Sequence, residues 1–203
     1  MFLSLYKALK DKGFNVKIAA YNFDIASKAY PEIPFFPEIC QGVLFRKIPF
    51  LKPFFLPFYF MLSKNYRRAD IIIGAPGGYV NSYYSIKSSL SIFKIAKSLG
   101  KKTAIYAQSV GPLNENDTIR FRKLMQHQID FILVRVEFSR KTMHEIGIDS
   151  TKFKLTKDAA FLLGYSAQLL PTIKKVAFSV REWTDDNRSV SEYKSMIANM
   201  VIH

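Results

Sequence analysis

Apolar residues recur along this chain with two periods, helical and extended, and the two alternate. Three times a helical pattern closes on a glycine and a short β-branched run follows. The first copy is residues 3–12, Gly13 and residues 16–20. The second is residues 87–99, Gly100 and residues 103–107; the third is residues 137–146, Gly147 and Phe153–Leu155. Glycine just past a helix accepts a left-handed conformation that other residues resist, so each glycine marks a stop. Between the copies the pattern predicts a strand at residues 71–73, a helix from about Asp117 to Gln128, and a strand at Phe131–Val134. These strands are nearly continuous apolar runs, as expected where both faces of a sheet are covered. Strands alternating with helices predict an α/β fold, a Rossmann-like parallel-sheet domain.

The order of elements also predicts a domain layout. A domain of this kind normally opens with a strand whose loop binds ligand. Here the pattern opens in a helix, so a first strand is expected to be missing. After Asp158 a short apolar run, residues 159–163, gives way to a linker-like stretch containing Pro171. A fresh strand follows at residues 176–180, and Ser189 or Ser191 can cap a helix after it. The expected layout is a domain at residues 1–163, a linker at 164–175, and the start of a second domain at 176–203. The chain then reads as a fragment or truncated product.

Two segments invite a membrane reading. In the first ten residues, Lys7 and Lys10 interrupt the apolar run and no small-residue cleavage site follows, so an amphipathic helix fits better than a signal peptide. Residues 31–62 are rich in proline and aromatic side chains, but the longest uncharged stretch, 53–63, falls far short of the roughly 20 residues of a membrane span. That stretch is either an interfacial segment flanked by Lys47, Lys52, Lys64, Arg67 and Arg68, or an aromatic loop packed on the domain's own core.

Composition narrows the field. The chain has 203 residues, 49% of them hydrophobic and 23% charged, which excludes a disordered protein. A formal charge of +14 either draws anionic partners, phosphorylated metabolites or an anionic lipid surface, or is a solvated lysine-rich surface with its basic residues scattered along the chain. Nucleic acid is not expected, because the basic residues are scattered and no recognition motif accompanies them. The single cysteine, Cys40, rules out a disulfide within the chain and a Cys/His metal cluster, and a reducing cytoplasm follows as the simplest compartment. His127 and His144 fall within predicted helices and His203 is the last residue, so no histidine is assigned acid–base work.

The candidate chemistry sits at strand ends. The strand at residues 71–73 leads into Gly74-Ala75-Pro76-Gly77-Gly78-Tyr79-Val80-Asn81. Two adjacent glycines at the C-terminal end of a parallel strand allow positive φ and close approach of backbone N–H groups to an anion. Tyr79 and Asn81 add polar side chains. A simple tight turn is the competing reading, since neither a P-loop nor the dinucleotide fingerprint is present. The next strand exits through Gln108-Ser109-Val110-Gly111-Pro112, and the strand after that through Arg135, which either binds an anion or pairs with Glu137. Together these exits describe one wall of a cleft.

Read in order, these segments resemble the polysaccharide pyruvyl transferase family. The resemblance rests on Gly-Ala-Pro-Gly-Gly-Tyr-Val, on Ala-Gln-Ser-Val-Gly-Pro after its strand, on Val-Arg-Val-Glu-Phe-Ser-Arg, and on Leu-Thr-Lys-Asp-Ala-Ala-Phe. It runs over roughly residues 1–185. It implies a GT-B-type architecture of two Rossmann-like domains with a cleft between them. It also implies transfer of the enolpyruvyl unit of phosphoenolpyruvate to a sugar of a cell-surface polysaccharide, with no metal or organic cofactor. The implied acceptor is a lipid-linked or polymeric glycan, and the implied location is the cytoplasm, peripherally at the inner face of the membrane. On this reading Gly77, Gly78, Tyr79, Asn81, Gln108, Ser109 and Arg135 line the acceptor side. Arg181, after the first strand of the second domain, contacts the donor anion or pairs with Glu182 or Asp185. Asp158, at the domain junction, is the catalytic carboxylate or the cap of a short helix. Two alternatives stand beside this reading: a GT-B-type nucleotide-sugar glycosyltransferase, and a non-catalytic glycan- or membrane-binding remnant.

Overall fold

Three helices end on the glycines that the pattern marked. Gly13, Gly100 and Gly147 have φ of 82°, 70° and 71°, the left-handed conformation expected there. The structure is a computed structural model and describes residues 2–38, 63–84, 86, 90–163 and 195. The chain divides into two compact units, Met1–Tyr165 and Ser166–His203, and the described strands lie in the first.

The elements of this unit alternate as the periodicity requires. They are α1 (Phe2–Asp11), β1 (Ile18–Ala20), α2 (Phe23–Ala29), β2 (Phe35–Pro37), α3 (Lys64–Arg68), β3 (Ile71–Gly74), β4 (Gly77–Val80), α4 (Ser91–Ser98), β5 (Lys102–Val110), α5 (Glu115–His127), β6 (Phe131–Val134), α6 (Glu137–Glu145) and β7 (Phe153–Leu155). A short 3-10 helix, Ala159–Leu163, follows.

Among the described residues every strand pairing is parallel, but the strands form two sheets. β1 and β2 make a small sheet of their own, joined by α2. It packs through Phe36, whose ring meets buried Tyr66 of α3 edge-on at 5.1 Å between centroids. The main sheet runs β3-β5-β6-β7, with β4 also paired to β5. β3 lies along the first half of β5, with Ile71 opposite Lys102, and β4 lies along the second half, with Gly77 opposite Gln108. β3 and β4 are therefore one line of strand, broken at Ala75-Pro76, where proline cannot donate to a ladder.

One face of the main sheet carries the core. Ile105, Val110, Ile132, Val134 and Phe153 pack against Phe93 of α4, Phe121 and Met125 of α5 and Met143 of α6. The three helices share that face because each lies on a parallel crossover running the same way across the sheet, and such crossovers share one hand. The opposite face, with Ile73, Tyr106, Phe131 and Leu133, is only half-buried. Continuous apolar strands predicted equal cover on both faces; among the described residues only the helix face is fully closed.

β5 contains a bulge. Ile105 pairs with Ile132 and Gln108 with Val134, so one extra residue is inserted in β5. Ala107 lies in that interval at φ 47°, a conformation costly for a residue with a Cβ. The bulge reverses the alternation. Thr103, Ile105 and Ala107 are buried before it; Gln108 and Val110 are buried after it, and Ser109 turns to the half-buried face.

Candidate functional site

The bulge decides which side chains meet at the C-terminal edge of the sheet. Ser109, at the end of β5, stands beside Arg135, the residue after β6. The Arg135 backbone N–H donates to the Gln108 carbonyl at 3.1 Å, which continues the ladder and fixes where the guanidinium starts. Its Nε donates to Ser109 Oγ at 2.8 Å, and its Nη1 donates to Asp158 Oδ2 at 2.6 Å. Asp158 is brought there by the chain leaving β7, where the Thr156 N–H donates to the Val134 carbonyl at 2.7 Å. Gly78 completes the group: a Cβ at this position would stand 3.8 Å from Arg135 Nη2 and 4.0 Å from the Ser109 Cβ.

The cluster is partly open. The side chains of Arg135 and Asp158 retain 21% and 31% exposure, so a ligand can reach them without unpacking the core. Asp158 Oδ1 accepts the Ala160 N–H at 2.9 Å and so caps the following 3-10 helix. The Ala160 amide, and after it the Arg135 guanidinium, hold the Asp158 carboxyl below the usual carboxylate range despite some desolvation. At neutral pH this carboxylate is ionised: it can orient a guanidinium or accept a hydrogen bond, but it has no proton to donate. The arrangement offers planar donors, one hydroxyl and a fixed anion at the edge where parallel sheets bind ligands.

Several residues named from the sequence lie elsewhere. Gly77 and Gly78 are not in a left-handed turn: both belong to β4, and neither is among the positive-φ residues. Their place in a strand follows from pairing with β5, which the break at Pro76 concealed. Tyr79 is not a polar residue at the exit. Its ring packs against the core, with the hydroxyl 2.7 Å from where a Cβ on Gly74 would be. Burial pushes the Tyr79 phenol pKa upward, so it stays protonated. Gln108 does not line an open wall; it is fully buried on the helix side, with Nε2 donating to the Ser109 carbonyl at 2.8 Å. Asn81 spends its amide on the loop: Nδ2 donates to the Gly78 carbonyl at 2.6 Å, and Oδ1 accepts the N–H groups of Tyr83 and Tyr84 at 2.9 and 3.3 Å. Arg135 does not pair with Glu137, which Arg140 takes instead. Arg181 lies outside the described residues, as do residues 39–62 of the aromatic segment; of the flanking cations, Lys64, Arg67 and Arg68 lie in α3.

The structure also adds residues that the sequence reading passed over. Ala107 sets the facing of Ser109, and nothing in its local sequence announces a bulge. Tyr83, Tyr84 and Phe138 stand exposed on the same edge. Among the described residues, no group of three or more His, Cys, Asp or Glu is gathered as a metal site would need, and no helix is long and apolar enough to cross a membrane.

Comparison with curated proteins and with solved structures found no match. The family model described as polysaccharide pyruvyl transferase matches residues 1–202. That match spans nearly the whole sequence, and the chain belongs to the polysaccharide pyruvyl transferase family.

Proposed function

We propose that the chain transfers the pyruvyl unit of phosphoenolpyruvate to a sugar of a cell-surface polysaccharide, and that the unit Met1–Tyr165 serves the acceptor side. The family match supports pyruvyl transfer to a polysaccharide. The observation that carries the acceptor-side reading is the guanidinium of Arg135, fixed between Ser109 and Asp158 beside the bare backbone of Gly78.

The chemistry balances without a metal or organic cofactor. A proton adds to the methylene carbon of phosphoenolpyruvate, and the adjacent carbon becomes electrophilic. One sugar hydroxyl adds there and gives up its proton. A second hydroxyl replaces phosphate at the same carbon, also losing its proton, and leaves a ketal that bears the pyruvate carboxylate. Arg135 and Ser109 orient the attacking sugar, while ionised Asp158 holds Arg135 and can accept a hydrogen bond from a hydroxyl. Proton donation falls to another group, because Asp158 is held ionised. Arg181 contacts the donor anion. The acceptor is a lipid-linked or polymeric glycan, and the excess of cations favours a peripheral position on an anionic membrane surface.

Donor identity is tested by ligand-induced thermal shift. Phosphoenolpyruvate is expected to raise the melting temperature in a concentration-dependent way, and UDP- and GDP-sugars are not. Stabilisation by a nucleotide sugar with none by phosphoenolpyruvate would overturn the assignment.

A further inference from the structure

Aromatic rings stand in solvent at the same edge of the sheet. Tyr83 and Tyr84, after β4, are 53% and 55% exposed, and Phe138, in the first turn of α6, is 61% exposed. Exposed aromatic residues scattered singly are ordinary. The segments that carry these three, the loop after β4 and the start of α6, are both bonded to the end of β5. The Gly111 N–H donates to the Val80 carbonyl at 2.8 Å, and the Ser82 N–H donates to the Pro112 carbonyl at 2.9 Å. Ser82 Oγ donates to Asp117 Oδ2 at 2.9 Å and accepts the Asn114 N–H at 2.8 Å. Phe138 rests over Gly111, where a Cβ would come within 3.4 Å of its ring. Beside it, buried Ser139 accepts the Val110 N–H at 2.7 Å and so pins the start of α6 to the end of β5.

The rings are thus presented by hydrogen-bonded backbone, and little ordering remains to oppose a ligand. The surface is also continuous with the candidate site, because the same Asn81 side chain bonds Gly78 and the backbone of both tyrosines.

We infer that Tyr84 and Phe138, with Tyr83 beside them, form a stacking platform for the sugar rings of the acceptor glycan. A pyranose ring has apolar C–H faces and a hydroxyl rim. Its face covers an aromatic ring and removes apolar area from water, while its rim stays hydrated. A pair of exposed rings on a rigid edge suits successive sugars of a chain better than it suits a compact anion. The inference rests on the reading that this unit holds the acceptor.

The test uses the full chain, with maltotetraose, cellotetraose and chitotetraose as probes and isothermal titration as readout. The wild type is expected to bind at least one probe. The double variant Y84A/F138A is expected to weaken that binding by about tenfold or more, and Y84W/F138W to retain it. Both variants should melt within about 2 °C of the wild type, because the side chains are exposed. Unchanged affinity in Y84A/F138A would overturn the platform, as would a wild type that binds none of the probes. Binding to vesicles of phosphatidylglycerol and phosphatidylcholine that Y84A/F138A loses, with glycan affinity unaltered, would overturn it in favour of a membrane contact. Phosphate release from phosphoenolpyruvate separates the two claims. Its absence in a wild type that binds glycan removes the pyruvyl donor and leaves the platform standing.

Discussion

Arg135 shows how much a single side chain depends on its neighbours. Its guanidinium has a hydroxyl on one side and a carboxylate on the other, and the ordering this requires is set by the strands that bring them together. Asp158→Asn keeps the shape and removes the charge, so kcat/KM is expected to fall roughly 10- to 100-fold through misplacement of Arg135. The same variant tests the protonation argument. The folded-state pKa of Asp158 lies below its ordinary value of 3.8, so its contribution to stability is present above about pH 4 and is lost as pH falls through the folded value. Melting curves of wild type and Asp158→Asn should therefore differ at neutral pH and converge in acid. A gap that persisted unchanged into acid strong enough to protonate the folded carboxyl would show that the stabilisation does not come from it. Part of this was legible in the sequence: Gly78, Ser109 and Arg135 lie at predicted strand ends, and Asp158 at the predicted domain junction. Which of their neighbours faced the same way was not, because one inserted residue at Ala107 reverses the facing of everything after it on β5.

At the scale of elements, helix ends and the later strands were read well from the chain. The stop glycines are local signals, and Phe131–Val134 and Phe153–Leu155 are apolar runs bounded on both sides. The line β3–β4 was read less well. A Pro-Gly-Gly sequence carries every mark of a turn, yet pairing with β5 draws it straight, and tertiary contact overrides local preference. The cost of that straightness appears at Gly74. A Cβ there would stand 2.7 Å from the Tyr79 hydroxyl and 2.9 Å from Phe93 Cζ, so glycine is required by space and not by φ. Gly74→Ala is expected to destabilise the fold by about 1–3 kcal/mol. Adding Tyr79→Phe removes the nearer of the two clashes and should recover part of that loss in denaturant titration. Full additivity of the two substitutions would mean that the ring and the glycine are not in contact.

At the scale of the molecule, parallel strands, the bulge in β5 and the loops beyond them gather the candidate site at one edge. Two strand exits and the segment after β7 supply Ser109, Arg135 and Asp158, and the loops past β4 and into α6 supply exposed aromatic rings. The buried sides of α4, α5 and α6, in contrast, pack on the closed face of the sheet. Periodicity predicted the parallel α/β class correctly, but the division into a small and a larger sheet depends on pairings between distant segments, which no local pattern encodes. Pyruvyl transfer to a glycan leaves two products that can be followed together. The full chain is incubated with phosphoenolpyruvate and a lipid-linked or polymeric glycan acceptor, free phosphate is followed, and the glycan is weighed by mass spectrometry. Phosphate release is expected to require the acceptor, with one pyruvate ketal gained on the glycan for each phosphate freed. Pyruvyl transfer that proceeds undiminished in Arg135→Gln, or no acceptor-dependent phosphate and no gain of mass in the wild type, would contradict the proposed function.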